Sequence, residues 1–240
     1  MSSVGQAKIV GNDCVEGVEY QAGGTLRFIE CDTVLLHFGV IPNTQITRLT
    51  DAAHGWNEQE GYWFPIVDRW QETSIENVMV AGDGGVILGD RAAEISGRLS
   101  VYRIAHRLGR ISDQSLKGMT MPLHRELTRL ASGRTFVDAI FRVPQSMLLP
   151  SPEAIVCRCE EISVSDIEAA IARGSAGMRQ VKVHSRVGMG NCRAQMCSTA
   201  TTAILQSKVK DSGKVVEPAT LRPPIRPLTL GQLARNQSRN

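Results

Sequence analysis

Asn77-Val78-Met79-Val80-Ala81-Gly82-Asp83-Gly84-Gly85, followed by an amphipathic run over residues 91–108, decides the fold class. Residues 77–81 are short, apolar and rich in β-propensity, which predicts a strand running into a glycine turn. In the run after it, Ile95, Leu99, Tyr102 and Ala105 or His106 recur at helical spacing. A strand, a glycine turn and a helix in that order mark the ligand-binding edge of an open α/β sheet. Upstream, residues 25–29 and 33–38 read as further strands. Val34-Leu35-Leu36-His37-Phe38 is apolar enough for a strand buried on both faces, and Gly39-Val40-Ile41-Pro42-Asn43 closes it with a turn. The fold class is α/β.

Working outward, residues 115–149 read as an amphipathic helical bridge, with Leu123, Leu127, Leu130, Phe136, Ile140 and Phe141 on its apolar side. Pro144, Pro150 and Pro152 mark a boundary. A second unit starts at Ile155. It holds a helix over 164–173, opened by a Ser163/Asp166 capping box and stopped at Gly174, and another helix over about 193–206. The tail, 217–240, has four prolines and reads as extended. The expected organisation is an α/β unit over 1–112, a helical linker over 113–152, a small helical unit over 153–208 and a tail over 209–240.

Composition narrows the class. The 240 residues are 42% hydrophobic and 21% charged, which excludes a disordered chain, a collagen and a coiled coil. No apolar run approaches the roughly 18 residues of a membrane span, and the first residues lack an apolar signal core. A cytoplasmic protein without a transmembrane segment is expected. The net charge of +3 hides an asymmetry: residues 1–150 hold 14 Lys/Arg against 17 Asp/Glu, and the remainder hold 13 against 7. Nucleic acid is not the expected partner of the basic half, because no aromatic residue follows Phe141 to stack on bases.

Cysteines carry the sharpest chemistry. Four of six fall in the second unit, as Cys157-Arg158-Cys159 and Cys192-Arg-Ala-Gln-Met-Cys197, with 32 residues between the pairs. Soft thiolates in that number suit an iron–sulfur centre or Zn²⁺. The C-x-C spacing is poor for a zinc knuckle, which weights the reading towards iron–sulfur. On a regular helix the C-x4-C sulfurs would diverge, so Cys192 belongs on the loop before a helix and Cys197 in its first turns. Gly188-Met189-Gly190-Asn191 supplies a loop whose N–H groups can face sulfur. Arg158, Lys182, Arg186 and Arg193 lie near the ligands in sequence and oppose the negative charge of such a centre. Cys14 and Cys31 have no partner pattern and read as ordinary thiols.

Val156 to Glu161, Asp166 to Ile171, Val181-Lys182, Arg186, Gly188-Met189-Gly190 and the four cysteines together resemble the bacterioferritin-associated-ferredoxin-like [2Fe–2S] domain, over about residues 154–208. The resemblance implies a small helical domain that ligates one [2Fe–2S] cluster through Cys157, Cys159, Cys192 and Cys197.

The first half resembles a second family, the FAD/NAD(P)-binding disulfide-reductase-like oxidoreductases. Residues 73–84 look like the late motif of that family, in which Gly82-Asp83 reaches FAD. Residues 32–43, ending with Gly39 and Pro42, look like an earlier strand and turn where the nicotinamide domain crosses back. The resemblance implies the C-terminal part of a flavoprotein with two dinucleotide-binding domains, here followed by the [2Fe–2S] domain. Two features depart from it: no G-x-G-x-x-G occurs among the 22 glycines, and the flavin half has no C-x4-C redox pair. FAD is therefore expected to have only a partial site, and NAD(P) binding stays open.

The two parts, with the tail Leu221-Arg-Pro-Pro-Ile-Arg-Pro-Leu228, resemble the alpha subunits of opine oxidases, hydroxyproline dehydrogenases and hydrogen cyanide synthase. That implies an electron-transfer subunit beside a substrate-oxidising beta subunit of amine-oxidase type. No nucleophile–base pair is evident; His37, His54, His106, His124 and His184 are isolated. The competing reading is a non-catalytic iron–sulfur or zinc docking module with a vestigial flavin half.

Overall fold

The computed structural model describes residues 4–37, 39–141, 149–209 and 215–237. The chain opens with an antiparallel meander of β1 (Val4–Val10), β2 (Gly17–Ala22) and β3 (Thr25–Glu30), in the order β1-β2-β3. Gly23 and Gly24, at φ 58° and 78°, make the two-residue turn of the β2–β3 hairpin, where side chains would resist positive φ. Helix α1 (Gln45–Leu49) and a hairpin of β4 (His54–Asn57) and β5 (Tyr62–Pro65) follow, with Trp56 opposite Trp63.

Two long helices form the first core. Helix α2 (Asp90–Arg107) lies where the periodicity places it, with Ile95 and Leu99 fully buried. Ser112 caps α3 (Asp113–Ile140) by accepting from the Ser115 N–H. Leu116 and Leu123 of α3 close over Ile95, Leu99 and Trp70, with Leu127 and Leu130 at the margin. The apolar side of α3 is covered only in this N-terminal part, since Phe136 and Phe141 are exposed.

The second core belongs to the C-terminal unit. A short β6–β7 pair (Ile155–Cys157 with Ile162–Ser163) leads into α4 (Val164–Ala172). The capping box is present: Asp166 N–H donates to Ser163 Oγ, and Ser163 N–H donates to the Asp166 carboxylate. Gly174, at φ 97°, lies just past the end of that helix. Helices α5 (Met178–Ser185) and α6 (Ser198–Lys208) complete the unit around Ile167, Val181, Ile204 and Leu205, all at most 2% exposed.

Several local expectations are corrected. Residues 33–37 form no strand, and Leu35 is 93% exposed, because none of the described strands pairs with them. An apolar run alone does not make a strand without a neighbour to complete its hydrogen bonds. Around residues 77–81 the only ladder contact is an isolated bridge between Glu72 and Met79, so this segment is a crossing strap. Helix α6 begins five residues later than expected, since residues 191–197 form turns. The tail is extended only as far as Thr229, before α7 (Leu230–Gln237). The sequence pattern does not mark β1, β2, α1, the β4–β5 hairpin, the β6–β7 pair or α5. Phe38 and the boundary proline Pro144 lie outside the described residues.

Candidate metal centre

Two turns converge to build the sulfur site. Cys157 ends β6 and is 1% exposed, whereas Cys159 stands on the exposed turn after it. Cys192 is half-buried in the opposite loop, and Cys197, 1% exposed, is the residue just before α6. Gly190 brings the turns together: a Cβ there would stand 2.1 Å from the Cβ of Cys159. Arg186 Nε donates to Glu160 Oε2 at 2.9 Å and ties the two turns from outside.

Cys192 lies within reach of the Cys159 thiol, and Cys197 within reach of Cys157 and of the charge on Cys192, so sulfurs of the two motifs neighbour one another. Among the described residues no three His, Cys, Asp or Glu side chains converge on a single ion position. Four thiolates on two facing turns suit a diiron centre, in which each iron takes two cysteines.

Electrostatics distinguish Cys192 from Cys197. Burial raises the Cys192 thiol, but the Met196 N–H, the Cys159 thiol and the Ala194 and Gln195 N–H groups outweigh it and leave the pKa lowered. These amides reach the sulfur because Arg193 and Ala194 sit at φ 55° and 66°, curling the loop into a cradle of N–H donors. The donors thus lie on the C-terminal side of Cys192, rather than in the glycine stretch before it. Cys197 behaves oppositely. Burial, with Cys157 beside it, pushes its thiol up to about 12. A buried thiol of that kind reaches its charged form best when a cation shares the site.

The flavin-motif residues lie elsewhere. Gly82 to Gly84 form a 3-10 turn whose first N–H donates to Ser96 Oγ of α2 at 2.9 Å. Gly82, at φ 67°, lets the strap approach α2, since its Cβ would stand 3.2 Å from that of Ala93. Asp83, the middle residue of this turn, is exposed. Pro42 is buried and faces the C-terminal unit, while Gly39 sits at φ 88° in the irregular segment before it. No described contact joins the Gly39–Pro42 turn to the Gly82–Asp83 turn.

One residue that sequence reading missed stands between the two parts of the chain. Gln45, only 7% exposed, donates through Nε2 to the Arg193 carbonyl at 3.1 Å and accepts from Gln195 Nε2 at 2.8 Å. Both partners belong to the loop that carries Cys192. Nothing in the spacing of α1 marks this glutamine, because its partners are about 150 positions away in the chain.

Comparison with known proteins agrees with the domain resemblance. Residues 155–207 match the BFD-like [2Fe–2S] binding domain. Over 236 residues, 98% of this chain and 45% of the relative, the sequence is 37% identical to an opine oxidase subunit of Rhizobium meliloti. Over 170 residues, 70% of this chain and 36% of the relative, it is 32% identical to the HcnB subunit of hydrogen cyanide synthase from Pseudomonas protegens. The chain thus spans less than half the length of these curated relatives. The crystal structure of L-proline dehydrogenase from P. horikoshii superposes with a TM-score of 0.68 at 17% identity, over 95% of this chain and 44% of that one, and supports the fold. The chain is therefore a relative of the opine oxidase and hydrogen cyanide synthase subunits, with an α/β portion that has the fold of a dehydrogenase chain, joined to a BFD-like [2Fe–2S] binding domain.

Proposed function

We propose that the chain is the electron-transfer part of a heteromeric oxidoreductase, with one [2Fe–2S] cluster ligated by Cys157, Cys159, Cys192 and Cys197. The observation that carries this reading is the meeting of the two cysteine-bearing turns, with Cys157 and Cys197 each 1% exposed and Gly190 packed against Cys159. When bound, such a cluster accepts and releases one electron, making and breaking no substrate bond. The residues of this chain hold it and tune it. The N–H groups of Ala194, Gln195 and Met196 stabilise negative charge at the Cys192 end, while burial keeps the Cys157/Cys197 end dry. Electron exchange is expected at the Cys159/Cys192 end, which is the more exposed. The four expected units, 1–112, 113–152, 153–208 and 209–240, remain the proposed organisation.

FAD is proposed as the neighbouring redox group, touched from this chain by Gly82 and Asp83, with Gly39 and Pro42 on its periphery. Amino-acid-derived substrates of opine, hydroxyproline or glycine type, oxidised on a beta subunit of amine-oxidase type, are proposed; what supports this is that the relatives are named as subunits of opine oxidase and hydrogen cyanide synthase. From Arg173 onward the chain holds 12 Lys/Arg and 2 Asp/Glu, a surface suited to an acidic partner. No described helix is long and apolar enough to cross a membrane. The test is stopped-flow spectroscopy on the complex co-purified with its partner. Substrate should bleach the visible absorption of the cluster, and Cys192→Ser should abolish the bleach while substrate oxidation with an artificial acceptor persists. A cluster that stays oxidised through turnover contradicts the role.

A further inference from the structure

The loop that carries Cys192 is held from outside residues 155–207, the stretch that matches the [2Fe–2S] domain. Gln45, the first residue of α1, is 7% exposed. Its own N–H donates to Asn43 Oδ1 at 3.3 Å, which seats the start of the helix. Its side-chain amide reaches the loop through both atoms. Nε2 donates to the Arg193 carbonyl at 3.1 Å, and Oε1 accepts from Gln195 Nε2 at 2.8 Å. A primary amide does both at once, whereas a carboxylate would only accept and an ammonium only donate.

The groups it grips belong to the backbone around Cys192. The Arg193 carbonyl and the Ala194 N–H are the two ends of one peptide group, and in a trans peptide they point in opposite directions. Holding the oxygen towards Gln45 therefore aims that N–H away from it, towards Cys192. Gln195 supplies the next N–H of the same cradle, and its side chain is the one that meets Gln45 Oε1. None of the described backbone bonds uses the Ala194 or Met196 N–H, which leaves both for the sulfur. The loop needs such a hold, because Arg193 and Ala194 sit at φ 55° and 66°, where residues with a Cβ are strained. A bond to the carbonyl also polarises the peptide and strengthens its N–H as a donor.

We propose that Gln45 is a positioning residue for the cluster: it holds the Arg193–Ala194 peptide and Gln195 so that their N–H groups face Cys192, and thereby raises the cluster's reduction potential. The inference rests on the [2Fe–2S] reading above. Taking up one electron adds one negative charge to the cluster, and N–H donors aimed at sulfur stabilise that added charge. With the clamp released, the reduced form loses more than the oxidised form, and the potential falls.

Spectroelectrochemical titration of the full cluster-loaded chain, with electron paramagnetic resonance of the reduced form, tests this. Gln45→Leu should shift the g values and lower the midpoint potential by at least about 28 mV, roughly a threefold change in the one-electron equilibrium at about 59 mV per tenfold. Gln195→Ala leaves the Arg193 bond in place and should lower the potential by less. Trp63→Phe breaks another tie to the C-terminal part, the bond to the Val216 carbonyl at 3.3 Å, and has no described bond to the Cys192 loop. It should leave potential and g values unchanged. Iron and sulfide are measured for every variant, and Gln195→Ala decides the matter should Gln45→Leu fail to hold a cluster. A full cluster with an unchanged or raised potential in the deciding variant overturns the proposal. So does an equal fall in Trp63→Phe, which would make Gln45 a mere tether. A wild-type chain without iron and sulfide would instead overturn the [2Fe–2S] reading, and this inference with it.

Discussion

Gly190 and Cys159 press together so closely that a methyl group on the glycine would overlap the cysteine Cβ, 2.1 Å away. Gly190→Ala is therefore expected to part the two turns and cut iron content per chain by more than half, measured by elemental analysis. Gly118→Ala, on the exposed side of α3 with no atom within 4 Å of the new Cβ, is the control. It should leave iron content unchanged and stabilise the fold by about 0.5–1 kcal/mol, because alanine loses less backbone entropy in a helix. The cysteine spacing announced the four sulfurs at this scale. It could not announce which sulfurs neighbour one another, which depends on how far the two turns fold over one another. Nor could it show the N–H cradle, which depends on positive φ at Arg193 and Ala194. Neither residue type advertises that conformation.

Among elements, those specified by local chemistry were the legible ones. Helix α4 carries its own start signal, and Ser163→Ala should cost about 1 kcal/mol in denaturant melts as the cap is lost. Helix α2 carries its core stripe, and Leu99→Ala should cost about 2–5 kcal/mol as a buried cavity opens. Residues 33–37 look like a strand but form none, because a buried strand is defined by its neighbours, and no described strand pairs with them. The short β6–β7 pair and α5 escaped because neither is long enough to show a period. The turn between α1 and β4 adds a pH dependence. Burial lowers the pKa of His54, against a smaller raising by its bond to the Ala52 carbonyl, and the nearby Arg48 adds a lesser lowering. The folded state thus favours the neutral ring, whose Nδ1–H donates to that carbonyl at 2.7 Å. This contribution to stability is present above the unfolded pKa of 6.5 and is lost as pH falls through the folded value. His54→Gln should make the melting temperature fall less between about pH 6.5 and 5. An unchanged slope would contradict that assignment.

For the whole molecule, there is one core under α2 and α3 and another among α4 to α6, and α1 and the β4–β5 hairpin are tied to the C-terminal part by polar links at Gln45, Arg48 and Trp63. Family resemblance made both parts readable, but the junction joins residues about 150 to 170 positions apart and left no local pattern. The same resemblance sets an expectation for FAD. A charged hydrogen bond accepted by Asp83 contributes about 1.5–3 kcal/mol, whereas micromolar affinity needs about 8.2 kcal/mol. In equilibrium dialysis this chain should retain its cluster and bind FAD weaker than about 1 μM; stoichiometric FAD on it would contradict the argument. The central claim is the four-cysteine [2Fe–2S] centre. Its most direct test is iron, acid-labile sulfide and zinc content per chain after anaerobic purification. The account predicts two iron and two sulfide with negligible zinc, falling sharply on Cys→Ala change at 157, 159, 192 or 197 but not at 14 or 31. One zinc per chain without sulfide would contradict it.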